Sequence, residues 1–296
     1  MKIKIQEISS HILKQNKVSL FIKRIDQVHP FVSGNKWYKL KYNLLDAKKH
    51  KFNRLLTFGG AYSNHIAATS YAAKENGFKS IGIIRGEKHL PLNPTLHFAS
   101  KNDMKLYYVS RRDYDKKLDN GFVNDLRNRF GDFYLLTEGG TNYLAIKGAT
   151  EILDKYDTYD YVCCPVGTGG TISGIINSTT NNQKGIGFPA IKNFVKIEKN
   201  INNWTNKDNF SFIDAYLGNG YAKVSDELIN FINKFYLLHK IELDAVYTGK
   251  MLMGIFDLVT KKYFKEDSSI LVIHTGGLQG NKGMSERLGI NLPLKL

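Results

Sequence analysis

Apolar and polar positions alternate along this chain with two different periods. Short runs dense in β-branched and aromatic residues, such as RLLTF at 54–58 and ILVIH at 270–274, are separated by longer stretches in which apolar residues recur at helical spacing. That alternation predicts a mostly parallel sheet covered by helices, an α/β fold. Strands are expected at 19–25, 54–58, 80–84, 105–109, 133–136, 159–164, 185–191, 212–215 and 270–274. Helices are expected at 37–49, 64–76, 93–100, 114–129, 143–155, 171–178, 225–238 and 250–264. No Pro- or Ser-rich tether interrupts the pattern, so any domain boundary is crossed by compact connections.

Composition narrows the class. At 296 residues with 42% hydrophobic and 23% charged positions, the chain has ordinary globular usage and length enough for one large or two smaller cores. The net charge of +15 raises the prospect of a nucleic-acid partner, but the lysines and arginines fall in short runs beside helical segments with acids interspersed. Solvated helix faces explain most of that charge, and the remainder suits an anionic small molecule. Cys163 and Cys164 are adjacent within an apolar run, which excludes a long-range disulfide framework and metal-ligand spacing. The first residues lack a continuous apolar segment, and no run of eighteen apolar residues occurs, so a soluble cytoplasmic protein without a membrane partner is expected.

Three glycine-marked loops carry candidate chemistry. CCPVGTGGTISG, 163–174, follows a strand and opens a helix, so backbone N–H groups converge at a helix N-terminus, where a phosphate is favoured. It matches neither the dinucleotide fingerprint nor a Walker A loop, and a tight turn without a ligand is the plain alternative. TFGGAYSNHIAAT, 57–69, repeats the arrangement. Ser63 and Asn64 there are good helix caps, or else part of a carboxylate cradle. LVIHTGGLQGNKG, 271–283, ends a strand in His-Thr-Gly-Gly. Ligands of open α/β sheets gather at the carboxyl ends of strands, so one cleft can hold all three loops. His274 reads as a structural strand-end histidine, because the eight histidines show no metal-binding pairing. Tyr221 follows a Gly-rich loop and Tyr247 precedes a helix, but among 17 tyrosines neither stands out unaided.

SGNKWYKL, 33–40, sets Lys36 between a flexible turn and an aromatic run. Taken in order with GGAYSNH, PVGTGGT, DAVYTGK and IHTGG, it resembles the 1-aminocyclopropane-1-carboxylate deaminase and D-cysteine desulfhydrase family, pyridoxal-phosphate enzymes of the tryptophan-synthase-β fold type. The resemblance implies that Lys36 forms the Schiff base with the cofactor aldehyde and later removes the substrate α-proton. An amine must lose its proton to attack an aldehyde, which burial in a closed cleft favours. The resemblance further implies that Gly167, Thr168, Gly169, Gly170 and Thr171 bind the cofactor phosphate and that Asn64 bonds the ring hydroxyl. Thr275 lies near the pyridine nitrogen on the same grounds. Ser63, with Tyr62, Asn64 and His65, holds the substrate carboxylate, Ser63 shuttles a proton, and Tyr221 and Tyr247 face the substrate. No metal is implied.

The resemblance also implies two domains, a smaller one over 40–147 inserted in a larger one built from 1–39 and 148–296, and a homodimer. The expected reaction is α,β-elimination from a small amino acid, D-cysteine foremost, giving ammonia and a 2-oxo acid. Ring-opening deaminases carry a glutamate after the tyrosine matching Tyr247, whereas this chain has Thr248, which argues against ring opening. Tyr38 replaces a common arginine, and Tyr62 a frequent glutamine. Cyclopropane deamination is the alternative within enzymes, and a non-catalytic anion- or nucleic-acid-binding homologue the alternative outside them.

Overall fold

The computed structural model describes residues 3–191, 194–217 and 222–294. In chain order the strands are β1 (Ile5–Ile8), β2 (Ser19–Lys23), β3 (Arg54–Gly59), β4 (Lys79–Arg85) and β5 (Met104–Val109), then β6 (Tyr134–Leu136), β7 (Tyr161–Val166), β8 (Lys184–Pro189), β9 (Phe210–Phe212) and β10 (Ser269–Ile273). Among the described residues they form two sheets. The six-stranded sheet runs β1-β2-β10-β7-β8-β9, and the four-stranded sheet runs β5-β4-β3-β6. Every pairing is parallel except β1 with β2. The smaller sheet draws on residues 54–136, and the larger draws on chain from both sides of that segment.

Parallel strands between helix layers are buried on both faces, which is why their sequences read as nearly continuous apolar runs. Cys163 packs with Leu20, Ile22 and Val272 on one face of the larger sheet, while Cys164 packs with Val162, Leu271 and Ile273 on the other. Both thiols are fully buried, and burial pushes both upward out of the reactive range. Among the described residues no helix is long and apolar enough to cross a membrane.

The structure departs from the sequence expectations at several elements. The helix expected at 114–129 is two, Arg111–Tyr114 and Asn120–Phe130, because Asp119 accepts the Phe122 N–H at 3.2 Å and starts a new cap. The helix expected at 143–155 ends at Ala149 and continues as a single 3₁₀ turn. The strand expected at 212–215 lies at Phe210–Phe212, where its ladder to β8 falls. Three helices, His11–Gln15, Phe194–Trp204 and Gln279–Leu288, were not anticipated. The last starts inside the third glycine loop, where QGNKG reads as turn.

His274 behaves as a structural residue. It is 1% exposed, and its Nε2 donates to the Glu242 carbonyl at 2.7 Å. Nearby, Arg24 grips Asp26 with two bonds of 2.9 and 2.8 Å, and the Asp26 carbonyl accepts the Ser33 hydroxyl at 2.9 Å. These contacts fix the turn that delivers Lys36.

Candidate active site

The Lys36 helix, Asn35–Lys49, starts against the end of β10. Gly34 has φ 65°, and a Cβ there would lie 1.9 Å from the Thr275 carbonyl oxygen. Only glycine allows this approach. The Asn35 N–H donates to that oxygen at 3.2 Å, and the Asn35 side chain donates to the Thr171 hydroxyl at 2.8 Å. Lys36 thus sits between the third glycine loop and the first. Its amine faces the cleft and donates to the Gly139 carbonyl at 3.3 Å. Desolvation by the surrounding protein lowers it from 10.5 to about 8.

The loop after β3 sets Ser63 as the cap of the following helix. Its hydroxyl caps the helix Asn64–Glu75 by accepting the Ile66 N–H at 3.3 Å, and the residue also lines the cleft. Asn64 accepts an amide proton from Gln279. His65 is 2% exposed and touches the Thr57 hydroxyl at 2.8 Å. Burial first, then the amines of Lys36 and Lys39, hold its imidazole well below the usual histidine range, so it is neutral. Tyr62 lies under the helix Gln279–Leu288. A Cβ on Gly283 would come within 2.8 Å of the ring, and the Arg287 guanidinium lies 5.5 Å from its centroid.

The loop after β7 has the geometry of an anion cradle. Gly169 has φ 90°, and no side chain caps the helix Gly170–Ser178 that follows. Its first N–H groups therefore retain their donor capacity at the positive end of the helix dipole. A Cβ on Gly167 would meet Tyr247 at 3.3 Å. Tyr247 is set by Asp244, whose carboxylate accepts the N–H groups of Val246, Tyr247 and Thr248, each at 2.9 Å. The Thr248 hydroxyl donates to the same carboxylate at 2.7 Å, and Thr248 is wholly buried.

One cleft of about 880 Å³ gathers these groups. Lys36, the 62–65 loop, Gly167–Gly169, Thr171, Tyr247 and Thr275 all line it, while Gly170 backs the cradle from inside the helix. Tyr221 lies outside the described residues. Lys39, which the sequence reading missed, also lines the cleft at 1% exposure. It donates to the Thr141 hydroxyl at 2.7 Å, and Thr141 contacts the Thr168 hydroxyl in the cradle. Desolvation, then the neighbouring Lys36 amine, press Lys39 far below its ordinary value. Its position three residues beyond Lys36, on the same helical face, is the signal that could have found it.

Comparison with known proteins identifies the class. The profile of the pyridoxal-phosphate dependent enzymes matches residues 3–276, and the chain belongs to that family. Within it, a Thermotoga maritima protein named "Putative 1-aminocyclopropane-1-carboxylate deaminase" is 30% identical over 295 residues, covering 91% of this chain and 92% of its own. A Pyrococcus abyssi protein of the same name is 28% identical over 294 residues, covering 91% and 87%. A solved structure described as an ACC deaminase homologue superposes with a TM-score of 0.85 at 24% identity, covering 97% of this chain and 93% of its own, a likeness of fold.

The cofactor of this family is pyridoxal 5'-phosphate, and the residues present fit it. A desolvated amine suits an aldehyde, and an uncapped helix end behind a left-handed glycine suits a phosphate. The buried Lys39 amine is joined to that cradle through two threonine hydroxyls and has no carboxylate partner among the described residues, as a group awaiting an anion would be.

Proposed function

We propose that this protein catalyses pyridoxal-phosphate-dependent α,β-elimination from a small amino acid, D-cysteine foremost, releasing ammonia and a 2-oxo acid. The observation that carries the reading is the Lys36 amine, depressed to about 8 by burial and facing the cleft that all three glycine loops share. When bound, the cofactor supplies an aldehyde and an electron-withdrawing ring. Lys36 would hold the aldehyde carbon, and Gly167 through Thr171 the phosphate. Asn64 would take the ring hydroxyl and Thr275 the pyridine nitrogen. Freed by an incoming substrate amine, Lys36 Nζ takes the Cα proton, and a base with a value near 8 is suited to that work at neutral pH. Ser63 and the Asn64–Glu75 helix start bind the substrate carboxylate, with Tyr62 and His65 shaping the wall, and the Ser63 hydroxyl carries a proton. Tyr247, on the cleft wall, faces the substrate. The reading carries with it an inserted domain over 40–147 and a cytoplasmic homodimer.

Elimination is favoured over ring opening by Thr248. That residue is fully buried and bonded to Asp244, so it offers no carboxylate to the cleft. Ring-opening deamination of 1-aminocyclopropane-1-carboxylate is the second reading, supported by the names of the relatives. The test pairs a visible absorption spectrum of the protein loaded with pyridoxal phosphate with assays of sulfide and 2-oxo acid release from D-cysteine, L-cysteine, D-serine and the cyclopropane amino acid. Elimination predicts sulfide from D-cysteine and little 2-oxobutanoate. Normal turnover by a Lys36→Ala protein would end the proposal.

A further inference from the structure

The wall of the cleft formed by the smaller sheet carries two guanidiniums to which the proposed function gives no role. Arg85 ends β4 and pairs in register with Val109, the last residue of β5. The Gly86 N–H donates to the Val109 carbonyl at 2.8 Å, and Arg111 follows two residues later. The two arginines therefore rise from neighbouring strand ends, and both line the cleft.

The acids of this wall are engaged elsewhere. Glu138 accepts the Tyr114 hydroxyl at 2.7 Å and pairs with Lys117 at 3.4 Å. Asp113 accepts the Ser110 hydroxyl at 2.8 Å and pairs with Lys116 at 3.0 Å. Among the described residues no carboxylate lies within ion-pair distance of Arg85 or Arg111. Arg85 instead stands 5.9 Å from the centroid of the Tyr114 ring, a face that leaves its N–H groups free to turn toward a ligand. Across the cleft Arg287 over Tyr62 adds a third positive group.

We propose that Arg85 and Arg111 clamp an oxyanion carried on the substrate's β-carbon, and that beside D-cysteine the elimination accepts amino acids with a phosphate-monoester β-substituent, O-phosphoserine being the simplest. The planar N–H forks of arginine match such a group, and charge-assisted bonds to it strengthen as it departs with negative charge. This rests on the elimination reading and adds a second substrate class to it. In the reaction Lys36 takes the Cα proton, and the Cβ–O bond breaks with its electron pair passing to the phosphate. Water then replaces nitrogen at Cα, so O-phosphoserine and one water give phosphate, ammonia and a 2-oxo acid with no net oxidation.

The test uses the holoenzyme. Calorimetric titration with both enantiomers of O-phosphoserine, with the serines and with inorganic phosphate measures binding, and turnover is compared between O-phosphoserine and β-chloroalanine. The expected results are binding of one O-phosphoserine enantiomer at least about tenfold tighter than the matching serine and than inorganic phosphate. The ratio of kcat/KM for O-phosphoserine to that for β-chloroalanine should fall at least about tenfold in Arg85→Gln and Arg111→Gln, with partial recovery in Arg111→Lys. Equal binding of serine and O-phosphoserine, inorganic phosphate binding as tightly as the ester, or an unchanged ratio in the variants would each overturn the clamp. The wild-type binding comparison decides even if a variant fails to fold. Turnover of β-chloroalanine without preference for the ester would sink the clamp and leave the elimination reading standing. Arginine-dependent binding of the ester with no turnover of any amino acid would do the reverse.

Discussion

Lys36 and Lys39 stand three residues apart on one helix, both facing the same cleft, and each amine contacts an oxygen of the 139–141 segment, the Gly139 carbonyl at 3.3 Å and the Thr141 hydroxyl at 2.7 Å. Two amines so close in poorly solvated surroundings oppose each other's charge. With no carboxylate partner for either amine among the described residues, the pair strains the fold.

That strain has a pH signature. Lys36 sits near 8 in the folded chain against 10.5 unfolded. Below about pH 8 the amine is charged in both states and its burial weakens the fold. Between about 8 and 10.5 only the unfolded chain keeps the proton, so stability rises with pH. In cofactor-free protein, the Lys36→Met variant should exceed wild type in urea midpoint at pH 7, and the gap should narrow as pH passes from 8 toward 10.5. A gap constant with pH would contradict the burial of this amine.

Lys39→Met should move two properties in opposite directions. Removing a buried, unpaired amine should raise the stability of the cofactor-free protein, while affinity for pyridoxal phosphate should fall about tenfold or more as the phosphate loses a charge-assisted donor. Urea unfolding and an absorbance titration measure the two. A change of the same sign in both would remove Lys39 from the cradle.

Gly34→Ala tests the seat of Lys36. A methyl group 1.9 Å from the Thr275 carbonyl cannot be housed without moving one backbone. A loss of about 2 kcal/mol or more in unfolding free energy is expected, with weakened cofactor binding because Asn35 and Lys36 shift together. An unfolding curve matching wild type would show that β10 and the helix start do not meet so closely.

Thr248→Val leaves one oxygen of the Asp244 carboxylate without its hydroxyl donor and the Asp244 N–H without its acceptor at 2.9 Å. The expected cost is about 1–3 kcal/mol in stability, with a drop in kcat as Tyr247 loosens. Thr248→Glu should not confer cyclopropane opening, since the new carboxylate would start from a buried position beside Asp244. Formation of 2-oxobutanoate by that variant would show that the side chain reaches the substrate.

The three glycine loops were legible because each is a contiguous strand-to-helix turn whose residue types encode its geometry. Lys36 was legible only through its motif, since nothing local separates a cleft lysine from a surface one. Asp244 and Lys39 were missed for another reason: their partners at Thr248 and Thr141 acquire meaning only when packing brings them against the cleft. Arg85 and Arg111 read as ordinary solvated charge until the β4–β5 register brought their strand ends to one wall of the cleft. Strand β1 was missed because it is four residues long, and pairing with β2, more than its own pattern, makes it a strand.

The partnership of β10 with β2 sets a schedule for biogenesis. Residues 269–273 must be synthesised before 19–23 gain their central neighbour, and Thr275 before Gly34 finds its backstop. The smaller sheet, complete by residue 136, can condense while the ribosome is still at work, whereas the seat of Lys36 waits for residues 269–275 to emerge. A nascent chain cut short before 269 would therefore carry the Lys36 amine without the strand end that seats its turn.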